Sequence, residues 1–123
     1  MLHINNITIH SPSETIKDGA VLVENGRIVA AGPAAAIARP EAAQVIDGRG
    51  LHLAPGFIDL QINGAFGDDF TDDPESVWRV AEMLSRYGVT AFLPTIITSP
   101  LATVAEAQAA VVRGAPSGFR GAQ

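Results

Sequence analysis

The sequence predicts an α/β chain, with part of a small β module followed by two parallel βα units. Three observations carry this. Residues 1–53 break into short alternating strands with an Asn25-Gly26 turn. Residues 54–114 then run strand, helix, strand, helix. The second of those strands is almost wholly apolar, the pattern of a parallel strand covered on both faces. Two βα units cannot close a sheet. The 123 residues are therefore expected to be the front part of a larger α/β protein; a small self-contained two-layer domain is the alternative.

The elements follow in order. Residues 2–9 place Leu2, Ile4 and Ile9 among polar neighbours, a strand weakened by Asn5-Asn6. Residues 20–23 and 27–31 flank Glu24-Asn25-Gly26. Asn-Gly favours a type I′ hairpin, because both central residues need positive φ. Gly32-Pro33 ends that strand, residues 34–39 make a short turn, and residues 44–46 and 51–53 are further strand candidates. The expected result is a small antiparallel module over residues 1–53. Residues 57–62 (FIDLQI) form the next strand, and residues 63–71 a Gly- and Asp-rich loop. Asp73-Pro74-Glu75 predicts a helix start, with an Asp cap and Pro in the first turn. Val77, Val80, Ala81 and Leu84 make one buried stripe, and Gly88 suits a left-handed helix end. Residues 89–97 form the apolar strand, in which Pro94 predicts a bulge or an early end. Residues 101–113 make a second helix closed by Gly114, and residues 116–123 a loop.

Composition removes several classes. Lys and Arg number 8 against 13 Asp and Glu, a net charge of −5, and the basic residues are scattered. Nucleic-acid binding is not expected, since phosphate contacts need clustered cations. No apolar stretch approaches the ~20 residues that span a bilayer, and the amino terminus lacks a secretory pattern. A soluble, cytoplasmic chain without membrane partners is expected. Zero Cys excludes disulfides and thiolate sites, and only three His remain for chemistry.

Asp59, Gln61 and Asn63 alternate along one strand and so share a side. Polar groups facing one way among Phe57, Ile58, Leu60 and Ile62 are costly unless bonded or at a site. From the pattern alone, one wet face of an edge strand is the preferred reading. Asp68, Asp69, Asp72 and Asp73 lack the spacing of a calcium loop and are assigned to capping and a solvated loop. His3, His10 and His52 are isolated in the sequence and are expected to be surface or structural. Trp78 and Tyr87 read as packing residues, and Thr95 and Thr98 as strand-end residues able to face a pocket.

The segment Pro55-Gly56-Phe57-Ile58-Asp59-Leu60-Gln61-Ile62-Asn63-Gly64 resembles the first barrel strand of the amidohydrolase superfamily, whose pattern is PGFID-x-H-x-H. The VLVENGRIVAAGP hairpin and the VIDGRGLHLAPG lead-in are similar to that superfamily's N-terminal half-sandwich. LAPGFIDLQINGAFGDDFTDD together with YGVTAFLPTIITS resembles, more closely, the N-acetylglucosamine-6-phosphate deacetylase family. The resemblance implies a partial (β/α)8 TIM barrel over residues 54–123, holding its first two βα units, preceded by part of a small β-sandwich domain. It implies metal-dependent hydrolysis of N-acetylglucosamine 6-phosphate to glucosamine 6-phosphate and acetate, in a cytoplasmic homodimer.

The two superfamily metal-binding His positions are Gln61 and Asn63 here. Some deacetylases of the family carry the same Gln-x-Asn and use one divalent metal, typically zinc. Gln61 and Asn63, with Asp59 and Gly64, are then expected to line the pocket rather than ligate. The family's metal ligands (a Glu in HLEGP and two later His) and its catalytic Asp are absent from these residues. The chain alone is expected to hold no metal and to be inactive. A dihydroorotase- or hydantoinase-like relative fits less well, since those enzymes keep both His. A non-catalytic fragment that self-associates through sheet edges is the third alternative.

Overall fold

The computed structural model describes residues 1–123, and the chain divides into two compact units, Met1–Pro55 and Gly56–Gln123. The first unit is one five-stranded sheet. Its strands are β1 (Leu2–His10), β2 (Thr15–Glu24), β3 (Arg27–Pro33), β4 (Gln44–Asp47) and β5 (His52–Leu53). The β2–β3 hairpin forms at Asn25-Gly26, whose φ angles of 50° and 75° are the two positive values the turn requires.

The module is not purely antiparallel. β1 pairs β2 antiparallel on one edge, and β4 and β5 lie parallel to it on the other. The chain crosses over through a 3-10 turn (Ala34–Ala36) and returns along the open edge of β1. That pairing is non-local, and no turn signal in the sequence specifies it. Ile7, Ile9 and Val21 form the buried cluster of this unit, with Ile4, Ile16, Val23 and Leu53 packed around it.

The second unit contains β6 (Phe57–Ile62), β7 (Gly64–Ala65), β8 (Asp68–Asp69), α1 (Ser76–Leu84), β9 (Val89–Pro94) and α2 (Leu101–Val112). β6 and β9 pair in parallel, joined by the α1 crossover. Val77, Val80, Ala81 and Leu84, the predicted stripe, are all buried with Ile62, Phe70, Phe92 and Ala122. A 3-10 turn (Ser85–Tyr87) tightens the end of α1, and Gly88 closes it at φ 81°.

Two local details depart from the sequence reading, and the early end of β9 at Pro94 follows it. α1 begins at Ser76, because residues 73–75 form a separate turn in which the Asp73 carbonyl accepts the Ser76 N–H. β9 ends at Pro94, which has no N–H to extend the ladder, although Thr95 still donates to the Ile62 carbonyl at 2.8 Å. β9 is also not covered on both faces: Leu93 is 55% exposed, and Ile58 and Leu60 on β6 are exposed as well.

The carboxyl end returns to this sheet. Gln123 donates to the Thr90 carbonyl and accepts from the Phe92 N–H, both at 2.9 Å. One residue bonded between two positions of a neighbouring strand is a parallel bridge. It lies beside β9, and Ala122 is buried beneath it, donating to the Ala81 carbonyl at 2.9 Å.

Candidate functional site

β6 carries the polar alternation. Asp59 is half-buried, Gln61 exposed, and Asn63 and Gly64 half-buried where the strand ends. The Asp59 side chain accepts the Gln61 backbone N–H at 3.0 Å. This bond stands where the β6–β9 register is irregular, between Asp59 and Ile62. The Asp59 carboxylate thus takes up a backbone donor that the ladder leaves free. The Asn63 carbonyl accepts the Phe70 N–H at 3.0 Å. These bonds use the Asp59 carboxylate and the backbone, and leave the side-chain amides of Gln61 and Asn63 available at the strand end.

The segment after Asn63 is more ordered than a Gly- and Asp-rich loop. Gly64 and Ala65 pair antiparallel with Asp69 and Asp68, closing a small hairpin through Phe66 and Gly67, both at positive φ. Gly64 is required here: a β-carbon on it meets the Asp68 carbonyl oxygen well inside contact distance. The Phe66 ring stacks on Tyr87 with centroids 5.6 Å apart, so the hairpin tip folds against the end of the α1 segment. Phe70, 1% exposed, fixes the other end of the loop in the core.

Three of the four acids, Asp68, Asp69 and Asp73, are held by local partners. Arg79 donates to Asp68 and to Asp73, each at 2.8 Å. The hydrogen bond from Arg79 holds the Asp73 carboxyl below its ordinary value, and the pair of carboxylates raises the Arg79 guanidinium. Asp69 accepts the Thr71 N–H at 2.7 Å, and Asp73 the Glu75 N–H at 3.2 Å. Arg113 bonds Glu75, tying the two helices together. These bonds order the loop without the expected helix cap, since α1 has no side-chain cap, and the ion pairs to Arg79 are not anticipated by the sequence.

The Thr95 hydroxyl is buried without a hydrogen-bond partner. Its backbone sits on the Ile62 carbonyl, so a free polar group stands beside the end of β6 next to Asn63. Trp78 packs edge-on to Phe119 at 5.5 Å. A cleft of this unit, about 390 Å³, is lined by Phe70, Pro74, Val77, Ile96, Ala107 and Val111 among others, and not by Asp59, Gln61, Asn63 or Gly64. No group of three or more His, Asp or Glu side chains comes together as a metal cage.

Two of the three His are not isolated. His10 and His52, 42 residues apart, meet with Nε2 and Nδ1 at 2.7 Å. Parallel pairing of β1 and β5 brings them together, which no local spacing announces. His3 is buried at 4% exposure, with neither ring nitrogen bonded.

No protein-family model matches the chain. Its sequence is 44% identical over 91 residues to an N-acetylglucosamine-6-phosphate deacetylase of Caenorhabditis elegans, covering 68% of this chain and 22% of that protein. It is 36% identical over 97 residues to the Haemophilus influenzae protein of the same description, covering 77% and 25%. The crystal structure of N-acetylglucosamine-6-phosphate deacetylase from Pasteurella multocida superposes with a TM-score of 0.75 at 29% identity, over 96% of this chain and 33% of that one. A Bacillus D-hydantoinase superposes at 0.50 and 23% identity, over 86% and 23% of the two chains, a likeness of fold alone. The chain spans about a quarter of the length of the two curated relatives and corresponds to their N-terminal part.

Proposed function

We propose that this chain is the N-terminal portion of an N-acetylglucosamine-6-phosphate deacetylase, a hydrolase that cleaves the acetamide to glucosamine 6-phosphate and acetate. The observation that carries this reading is the 44% identity to such an enzyme over 91 residues. Residues 1–53 are part of its small β-sandwich module, and residues 54–123 are the first two βα units of its barrel. The parallel β6–β9 pair with a helical crossover, and the bridge at Gln123, support that placement. A structural neighbour described as a complex with N-acetyl-D-glucosamine-6-phosphate supports a sugar-phosphate substrate.

The residues present do not fit a resident catalytic metal. Gln61 and Asn63 offer amide oxygens, weak ligands for a transition ion beside imidazole or carboxylate, and no metal cage forms around them. Their work is hydrogen bonding. Each amide offers both donors and an acceptor to the amide and hydroxyl groups of a sugar. Asp59 positions Gln61 by holding its backbone N–H, and Gly64 lets the hairpin close directly behind Asn63. The metal ligands and the carboxylate that moves the proton come from outside these 123 residues.

The protein extended to the length of its relatives is expected to release acetate from N-acetylglucosamine 6-phosphate. The 123-residue chain is expected to release none, with or without added zinc. Ring opening of dihydrouracil without acetate release by the extended protein would replace the reading with a hydantoinase-like one. Turnover by the chain alone would overturn the placement of the essential groups.

A further inference from the structure

We infer that Thr95 is a positioning residue for the proposed site: its hydroxyl donates to the side-chain carbonyl of Asn63 and aims the Asn63 amide at an acetamido sugar. The inference rests on the deacetylase reading for its substrate, and on the second unit alone for its geometry. Ile62 and Pro94 stand opposite each other at the end of the β6–β9 ladder. The Thr95 N–H extends that ladder by donating to the Ile62 carbonyl at 2.8 Å. The next residues, Asn63 and Thr95, are therefore lateral neighbours on strands about 4.8 Å apart. Their faces follow from what surrounds them. Ile62 is buried in one cluster with Val77, Val80 and Leu84 of α1. Pro94 and Ile96 line a cleft with Val77 of α1 and Ala107 of α2. Ile62, Pro94 and Ile96 thus face the helices. Side chains alternate along a strand, so Gln61, Asn63 and Thr95 face the opposite side.

The Thr95 hydroxyl has no partner and is closed to solvent. Leaving a buried hydroxyl unbonded is costly, and a substrate does not reach one that water cannot touch. It therefore acts through a neighbour. Asn63 is that neighbour: it is half-buried, and the backbone bonds around it leave its amide available. Rotation about the Asn63 side-chain bonds brings Oδ1 onto the Thr95 hydroxyl. The hydroxyl donates, Oδ1 accepts, and both Nδ2 hydrogens stay free as donors. That orientation presents donors to the carbonyl and hydroxyl oxygens of the sugar, whereas an unfixed amide presents either end. Asp59 already holds the backbone of Gln61, so each of the two amide residues has its own fixing group.

Two measurements test this. In the 123-residue chain, nuclear Overhauser contacts should place the Asn63 Nδ2 hydrogens in one orientation, away from Thr95. Thr95→Ser should keep that orientation, and Thr95→Val, which removes only the hydroxyl, should lose it. In the protein extended to the length of its relatives, Thr95→Val should lower kcat/KM for N-acetylglucosamine 6-phosphate about fivefold to tenfold, the worth of one neutral hydrogen bond. Thr95→Ser should lower it by less than about twofold. On an Asn63→Ala background, Thr95→Val should change kcat/KM by less than about twofold, because the group it acts through is gone. The Trp78 urea transition establishes that each variant folds, and Thr95→Ala replaces Thr95→Val if Val does not fit. An unaltered extended protein that releases no acetate refutes the deacetylase reading, and the Asn63 orientation then still decides the role of Thr95. The inference fails if that orientation does not depend on the Thr95 hydroxyl. It fails equally if Thr95→Val leaves kcat/KM unchanged, or lowers it as much without the Asn63 amide as with it.

Discussion

Replacing Phe70 by Ala tests whether the loop behind Asn63 is fixed by the core of the second unit. Phe70 is 1% exposed and packs within the cluster of Ile62, Val77, Val80, Ala81, Leu84 and Phe92. Truncating a buried Phe costs about 3–5 kcal/mol, from lost transfer energy plus the cavity left behind. A unit of 68 residues (56 to 123) has a stability of about 3–10 kcal/mol at ordinary per-residue values. The substitution should therefore remove a third or more of that stability, and at the low end abolish the cooperative transition. Trp78 is the only Trp and packs on this same core, so its fluorescence in a urea titration reports this unit. Phe57→Ala is the control. Phe57 belongs to the same unit but is 69% exposed, and its loss should move the midpoint by no more than about 0.5 kcal/mol in stability. Equal midpoints for Phe70→Ala and the unaltered chain would refute the burial argument, as would a larger effect from Phe57→Ala.

Three further outcomes are expected. Gly26→Ala should cost about 1–2 kcal/mol from its φ of 75° alone, since nothing lies within 4 Å of the added carbon; Gly64→Ala should cost more because its carbon meets the Asp68 carbonyl, and urea midpoints of the two units compare them. Removing residues 121–123 breaks three backbone hydrogen bonds and uncovers the site of Ala122, so the Trp78 transition should lose about 2–4 kcal/mol; an unchanged midpoint would show that the Gln123 bridge contributes nothing. Asp73 has a folded pKa below its ordinary 3.8, so its contribution is fully present above that value and is lost as pH falls through the lowered one. Arg79→Met, which removes the main cause, should flatten the fall of the second unit's urea midpoint as pH drops below 3.8; an identical acid limb with and without Arg79 would count against the pair.

The sequence revealed what is decided locally. Asn25-Gly26 set its hairpin because only those two φ angles had to be satisfied. Val77, Val80, Ala81 and Leu84 announced a buried face by their spacing, and Gly88 its end. The alternation of Asp59, Gln61 and Asn63 was likewise visible, because side chains two apart on a strand share a side. What these side chains meet was not visible. The Asp59 bond to Gln61 depends on a register irregularity set by β9, and the hairpin at Gly64 on a close backbone approach. Arg79 is six residues from one carboxylate and eleven from the other. His10 and His52 became neighbours only when β5 returned beside β1, across 42 residues.

The same division explains the apolar strand pattern that gave the fold class. Phe57, Ile58, Leu60 and Leu93 are 69%, 64%, 70% and 55% exposed in a sheet where Ile62 and Phe92 are buried. A solvated antiparallel edge with a wet face would place polar residues at several of these positions. Here the polar residues instead cluster at Asp59, Gln61 and Asn63, toward the end of β6, while apolar ones ask for cover that residues 56–123 do not supply. An apolar sheet with polar groups gathered at its carboxyl end is the distribution of a parallel α/β enzyme, in which packing occupies the strand body and chemistry the strand end. That distribution favours a pocket-lining role for Gln61 and Asn63 over the wet-edge alternative, and it does so from the unfilled apolar positions rather than from the amides themselves.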